Sequence, residues 1–335
     1  MKQSFYLQKE HFNFFLGIIS LLFGSEILGY KVYFITVPVG IIVLLFQLKK
    51  TLTLPIIFIL TLNLLFDPSI ERVNLSILTL IFYSYFTIGQ YLSKKQITTL
   101  IVLQIFLFAV EVLNINQHLI SFPTPISAYG IDLIGLQFGN PNNLGYFFLL
   151  SICILIKNKN HTLLPIIILG SIILIGSRGI LILSFMLLTL YFLKNNLKII
   201  YLALGALVFS IQSFSPGDFE NYTYLFNKYS SFTDYTSTSI GRINYINEWA
   251  RFDWLPFGKK MGSKYATAPH NLVIELSFLL GAGFLFLLIL IKRKIKFDWR
   301  LIVVLLGSSI PSTLIAFPVY GLFFGNLFKN KKIIN

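Results

Sequence analysis

Charge is scarce in this chain. Only 12% of its 335 residues are charged, against 56% hydrophobic, and acidic side chains number just 13. That balance, with a mean hydropathy of +0.77, excludes a water-soluble globule. Cysteine is almost absent: Cys153 stands alone inside an apolar run, so no intramolecular disulfide and no cysteine metal cluster can form, and it reads as a small core residue. There are four histidines, none at metal-ligand spacing, and no Gly-rich phosphate loop, Ser-His-Asp set or nucleotide motif. No metal or cofactor is expected, and the energy for any reaction would have to arrive with the substrate. Internal repeats, low-complexity tracts and a soluble domain are lacking too.

What the chain has is a succession of apolar runs. A helix needs roughly 20 apolar residues to cross the hydrocarbon core, with a lower limit near 17. Spans are expected near 12–28, 32–47, 51–66, 73–91, 96–113, 140–156, 162–177, 179–193, 197–214, 271–291, 300–314 and 316–328. The fold class is therefore an all-α polytopic membrane protein of about twelve transmembrane helices, residues 1–335 forming one membrane domain. Pro311 and Pro318 interrupt the last run, which could instead be one crossing plus a re-entrant turn. Lys2 and Lys9 precede the first run, but Gly24-Ser25-Glu26 is a poor cleavage site, so an uncleaved helix is expected rather than a signal peptide.

The formal charge of +14 invites a nucleic-acid reading until the charges are placed. With both termini taken as cytoplasmic, 18 of the 27 basic residues and two of the 13 acidic ones fall in inner segments, a net +16, which leaves −2 outside. The excess is a record of topology under the positive-inside rule, and no nucleic acid is implied. Four of the six arginines (Arg72, Arg178, Arg242 and Arg251) lie outside, against that rule, while the inner loops use almost only lysine. Lysine serves as a topogenic point charge, whereas the guanidinium fork suits phosphate or carboxylate. An outward-facing anion site follows.

Two outer loops stand out. The shorter, 114–139, leads into Gly139-Asn140-Pro141-Asn142-Asn143 at the opening of the sixth span. The longer, 215–269, is inserted between the ninth and tenth spans and far exceeds an ordinary connection, so it is expected to be functional. Within it Ser239 can cap a helix that carries Ile243, Ile246 and Ala250 at helical spacing and ends before Pro256. Such a helix would lie on the membrane surface with Trp249 and Trp254 at headgroup depth.

Candidate site residues follow from this placement. Arg178, in Gly176-Ser177-Arg178-Gly179, is either a snorkelling side chain at a helix end or a ligand for a lipid phosphate. Arg242 follows Gly241 as a solvated loop arginine or a second phosphate ligand, and Arg251 can pair with Glu248 three residues earlier or join the site. His270 and Asn271 stand at the mouth of the tenth span. Asn271 can cap that helix, and His270 is either a structural donor or, kept neutral by the helix dipole, a base for an acceptor hydroxyl. Glu275, one turn below, and Glu111 are alternative bases or arginine counter-ions. Asn140, Asn142 and Asn143 are helix caps or ligands. Lys264, with Lys259 and Lys260, solvates the loop or draws an anionic headgroup.

In order along the chain, the Gly-Asn-Pro-Asn-Asn turn (139–143), the Gly-Ser-Arg-Gly turn (176–179), Ser-Ile-Gly-Arg (239–242), Pro-Phe-Gly (256–258), His270-Asn271, Glu275 and Gly281-Ala282-Gly283 resemble the O-antigen ligase and polymerase superfamily. The resemblance implies a C-type membrane glycosyltransferase fold and metal-independent, inverting transfer of a glycan from undecaprenyl diphosphate at the outer face of the bacterial cytoplasmic membrane. It implies that Arg178 and Arg242 bind the diphosphate and that His270 assists the acceptor hydroxyl. Arg251, Asn271, Glu275, Asn142 and Lys264 would contact substrate. The expected partners are an undecaprenyl-diphosphate-linked oligosaccharide, membrane lipid and a chain-length regulator. A polymerase of lipid-linked repeat units is the leading expectation, on compact length and aromatic richness; a ligase transferring the finished glycan to lipid A core or protein shares the same donor site. A flippase would place ionisable residues or broken helices at mid-membrane, with repeat symmetry between halves.

Overall fold

A computed structural model describes residues 2–28, 30–46, 53–66, 68–113, 120–123, 127–128, 131–132, 136–158, 163–175, 177–194, 254–255, 258–259, 276, 280, 299–308 and 314–329. These residues are mostly helical, in keeping with an all-α fold. The helices are α1 (Lys2–Leu21), α2 (Tyr33–Phe46), α3 (Thr53–Phe66), α4 (Ile70–Tyr91), α5 (Lys94–Val112), α6 (Pro141–Asn158), α7 (Leu163–Ile175), α8 (Arg178–Lys194), α9 (Trp299–Gly307) and α10 (Pro318–Leu327). Two helical stretches, Arg72–Tyr91 in α4 and Lys94–Val112 in α5, are long and apolar enough to cross a membrane.

Local chemistry sets several boundaries. Ser69 caps α4 by accepting the Arg72 amide N–H, and Ser93 and Gln96 form a reciprocal capping box at the start of α5. The first expected span, 12–28, is corrected at its end, since its apolar stretch runs only from His11 to Leu21. The helix starts at Lys2 and stops at Leu21, because the Ser25 hydroxyl and amide both donate to the Leu22 carbonyl and fold the chain into a turn. Glu26–Ile27 then forms β1, which pairs antiparallel with β2 (Tyr30–Lys31) and with β3 (Ile120–Ser121). Two further two-stranded ribbons pair β4 (Ser127–Ala128) with β5 (Ile131–Asp132), and β6 (Trp254–Leu255) with β7 (Gly258–Lys259).

The final two expected spans differ as well. The nine residues of α9 and the ten of α10 are each too short to cross alone. Pro318, at the first position of α10, starts that helix, and α10 packs against α4 at Phe82, Phe86 and Gly89 and reaches the cap residue Leu92. The expected span 197–214 lies outside the described residues, as does loop 215–269 apart from β6 and β7. Of span 271–291, Leu276 and Leu280 are described, both helical.

The core is built on α4, α6 and α10. Sixteen of the eighteen residues of α6 and all ten of α10 are buried, which marks these as interior helices. Contact between α4 and α10 depends on glycine. A Cβ at Gly321 or Gly325 would run into the Phe82 or Phe86 carbonyl, and one at Gly89 into that of Leu322. Small residues four apart let the two backbones touch, so dispersion and packing hold the pair together. The perimeter is the reverse. Phe15, Phe34, Ile42, Phe46, Phe58, Leu65, Phe106, Ile167, Ile182 and Leu306 are exposed on seven different helices.

Helix ends collect at two poles. At one, the Asn326 amide donates to the Gly89 and Leu92 carbonyls, Lys329 Nζ donates to Leu92, and Lys157 Nζ donates to Asn326 and Leu327. Lysine ammonium groups thus cap the carbonyl ends of α4 and α10, where the helix dipole favours positive charge. At the other pole the turn after α1 meets the segment before α6, with Gly24 against the Gln137 carbonyl. Buried Gln104 and Gln137 exchange amide hydrogen bonds nearby, at 2.7 and 3.4 Å.

Candidate functional site

The first turns of α6 and α8 stand side by side at this second pole. Leu136–Phe138 makes one 3-10 turn, and Leu136 and Gly139 both take positive φ, 46° and 59°. The glycine makes the reversal into α6 without strain. Asn140 then caps α6: its Oδ1 accepts the Asn142 amide N–H at 2.8 Å, and its carbonyl accepts from Leu144. Pro141 fills the first helical position, where a missing N–H costs nothing.

Ser177 begins α8 in the same way, its carbonyl accepting the Leu181 amide N–H. Its buried hydroxyl turns sideways and donates to Asn142 Oδ1 at 2.9 Å. Gly145 allows this approach, since a Cβ there would already press on Ser177 Cβ at 3.2 Å. Two turns far apart in sequence are thereby tied together. Arg178 is the first residue of α8 and so follows directly on this bond.

Beneath lies a layer of aromatic rings. Asn143 is buried, and its carbonyl accepts from the Tyr320 hydroxyl at 2.7 Å. Tyr146 donates to the Val304 carbonyl at 2.9 Å. Phe138 stacks on Tyr320 and meets Phe147 and Phe317, with Phe317 in turn edge-on to Phe23. These contacts lock the start of α6 to α10 and to the end of α1. The floor of the site is a layer of packed rings tied to the backbone by these two hydrogen bonds.

Chemically, two helix N-termini side by side bring their positive dipole ends to one region, with an arginine at the head of α8. That combination favours an anion. Among the described residues, no group of three or more His, Cys, Asp or Glu is placed to hold a metal ion.

Of the eight site residues expected from sequence, the structure brings Asn142 and Arg178 together. Asn142 is half-buried with its oxygen engaged by Ser177; Arg178 is placed by its backbone at the head of α8. Arg242, Arg251, Lys264, His270, Asn271 and Glu275 lie outside the described residues. The expected cap Asn140 is a cap, and Glu111 sits half-buried in the last turn of α5, where a charged carboxylate is costly. Ser177 and Tyr320 were not singled out by sequence, and Arg72 was counted among the outer arginines without being made a site candidate. Ser177 lay inside a motif whose arginine drew attention, and Tyr320 is 177 residues from its partner, Asn143. Arg72, in the first turn of α4, is fully buried, an unusual place for a guanidinium. Its wrong-side charge was the available signal.

Comparison with known proteins returns no matching family model, curated protein or solved structure.

Proposed function

We propose that this chain is a multi-pass membrane glycosyltransferase, a polysaccharide polymerase that joins repeat units carried on undecaprenyl diphosphate at the outer face of the bacterial cytoplasmic membrane. The observation that carries this reading is the Ser177–Asn142 hydrogen bond, which joins the Gly-Asn-Pro-Asn-Asn and Gly-Ser-Arg-Gly turns at one anion-favouring point. Further support comes from the exposed apolar perimeter, which suits lipid rather than water. The two poles also match the charge partition: Lys157 and Lys329 meet at one end, which is cytoplasmic in this reading, and Arg178 lies at the other.

In the proposed reaction, an acceptor hydroxyl oxygen attacks the anomeric carbon of the lipid-linked glycan. The new carbon–oxygen bond forms as the bond to the diphosphate breaks, with inversion, and the electron pair leaves on undecaprenyl diphosphate. Arg178 and Arg242 stabilise that developing charge, so no metal and no general acid are needed. His270 takes the acceptor proton, a role worth about 100- to 10,000-fold in rate. Arg251, Asn271, Glu275, Asn142 and Lys264 hold the substrates.

A deletion strain tests the pathway assignment. The expected result is surface glycan with a single repeat unit. Loss of all attached glycan, with polymer retained on the carrier, would instead indicate a ligase acting on lipid A core or protein.

A further inference from the structure

The hairpin formed by β1 and β2 does not belong to the site, yet its composition is unusual. Ile27 pairs with Tyr30, and Leu28 stands in the reversal that directly follows Ile27. Two-residue hairpin turns favour positive φ, and asparagine or glycine normally occupies them. Here Leu28 takes φ 51° and is 68% exposed. A hairpin in water would avoid leucine at such a position on both counts: the backbone is strained, and the side chain meets solvent.

Its surroundings extend the pattern. Tyr30 is 80% exposed, and Phe34 and Ile35, in the first turn of α2, are exposed beside it. Down α2 the exposed surface continues through Ile41, Ile42, Leu45 and Phe46. Lys31 pairs loosely with Glu26 at 3.9 Å, and its Nζ lies 6.0 Å from the Tyr33 ring centre. An apolar tip, exposed tyrosine and a lysine, continuous with an apolar helix face, have the make-up of a segment at the level of lipid headgroups.

We infer that the β1–β2 hairpin is a membrane-interface anchor, with Leu28 and Tyr30 inserted into the outer-leaflet boundary and Lys31 among the headgroup phosphates. This rests on the reading that the chain spans a membrane. The anchor sits on the same sheet as β3, which follows α5 and precedes the segment leading to Asn142. It therefore fixes the depth of the pole at which the site lies.

Spin labelling of the full chain in vesicles of phosphatidylethanolamine and phosphatidylglycerol tests the inference. Cys153 is replaced by alanine, and nitroxide is attached at Leu28→Cys or, as a reference in the apolar belt, Ile42→Cys. Should the alanine background fail to fold, native Cys153 is retained, since it is buried and escapes labelling. Collision with oxygen and with a water-soluble nickel chelate is then measured. The expected result is oxygen favoured over nickel at both sites, less strongly at Leu28 than at Ile42. Nickel favoured at Leu28 with oxygen favoured at Ile42 would overturn the anchor and leave the membrane reading standing. Shielding of Leu28 from both reagents would overturn it in favour of a protein cover such as a second copy. Nickel favoured at both would overturn the membrane reading and the anchor with it.

Discussion

The Ser177 hydroxyl donates to Asn142 Oδ1 across 2.9 Å, joining the head of α8 to the head of α6. Two substitutions separate its structural role from its proposed chemical one. Ser177→Ala removes one part-buried hydrogen bond and should lower stability by about 1 kcal/mol. Ser177→Thr, which keeps the hydroxyl, should recover part of the loss in thermal unfolding.

Asn142→Asp should act with opposite signs on stability and binding. The carboxylate still accepts from Ser177, and its charge at a helix N-terminus should contribute about 0.3 to 1 kcal/mol of stability. The same charge would repel a diphosphate. Thermal unfolding in detergent and the KM for lipid-linked donor should therefore both rise. A higher melting point with unchanged KM would remove Asn142 from the anion site.

Substitution of the proposed catalytic groups should abolish polymer while the protein stays in the membrane. Arg178→Ala, Arg242→Ala and His270→Ala are expected to be severe, and Arg251→Ala milder. Arg178→Lys should recover little, because lysine keeps the charge and loses the bidentate fork. Polymer length and membrane abundance, measured together, check this. Wild-type chain lengths from the Arg242 variant would exclude that residue.

Packing between α4 and α10 gives a test independent of function. A methyl group at Gly325 has no space beside the Phe86 carbonyl, so Gly325→Ala should destabilise the protein by about 1 to 3 kcal/mol through overpacking. Gly170→Ala, where a Cβ would meet nothing within 4 Å, is the control and should be neutral or slightly stabilising in thermal unfolding.

Lys329 supplies a pH dependence. Burial, with Lys94 adding repulsion, lowers its pKa from the ordinary 10.5. The unfolded chain therefore holds this proton more tightly than the folded one. The penalty is complete below the lowered value and disappears as pH rises toward 10.5, so stability from this group increases with pH over that window. Lys329→Gln should lose that increase, as seen in unfolding midpoints across the alkaline range.

Helix positions from α2 to α8 could be read closely from sequence because apolar runs mark them, and the structure adds caps at Ser69, Ser93 and Asn140. The end of α1 was misread since apolar residues continue to Leu28, and hydropathy does not distinguish a helix from a hairpin whose partner strand, β3, lies about ninety residues away. Pairing of Gln104 with Gln137 was hidden for the same reason, each being a lone polar residue without a local partner. At the candidate site, the placement of Asn142 and Arg178 at helix starts was legible through short turn motifs. That Ser177 joins them is a matter of helix packing, with Gly145 setting the distance, and no spacing in the sequence encodes it.

Reconstitution tests the central claim most directly. Purified protein in vesicles is given undecaprenyl-diphosphate-linked repeat units with a chelator present, and glycan length and released undecaprenyl diphosphate are followed. The account predicts glycans of two and more repeat units, with one undecaprenyl diphosphate released per linkage. Lipid-linked glycan that crosses the bilayer with no glycosidic bond formed would contradict it.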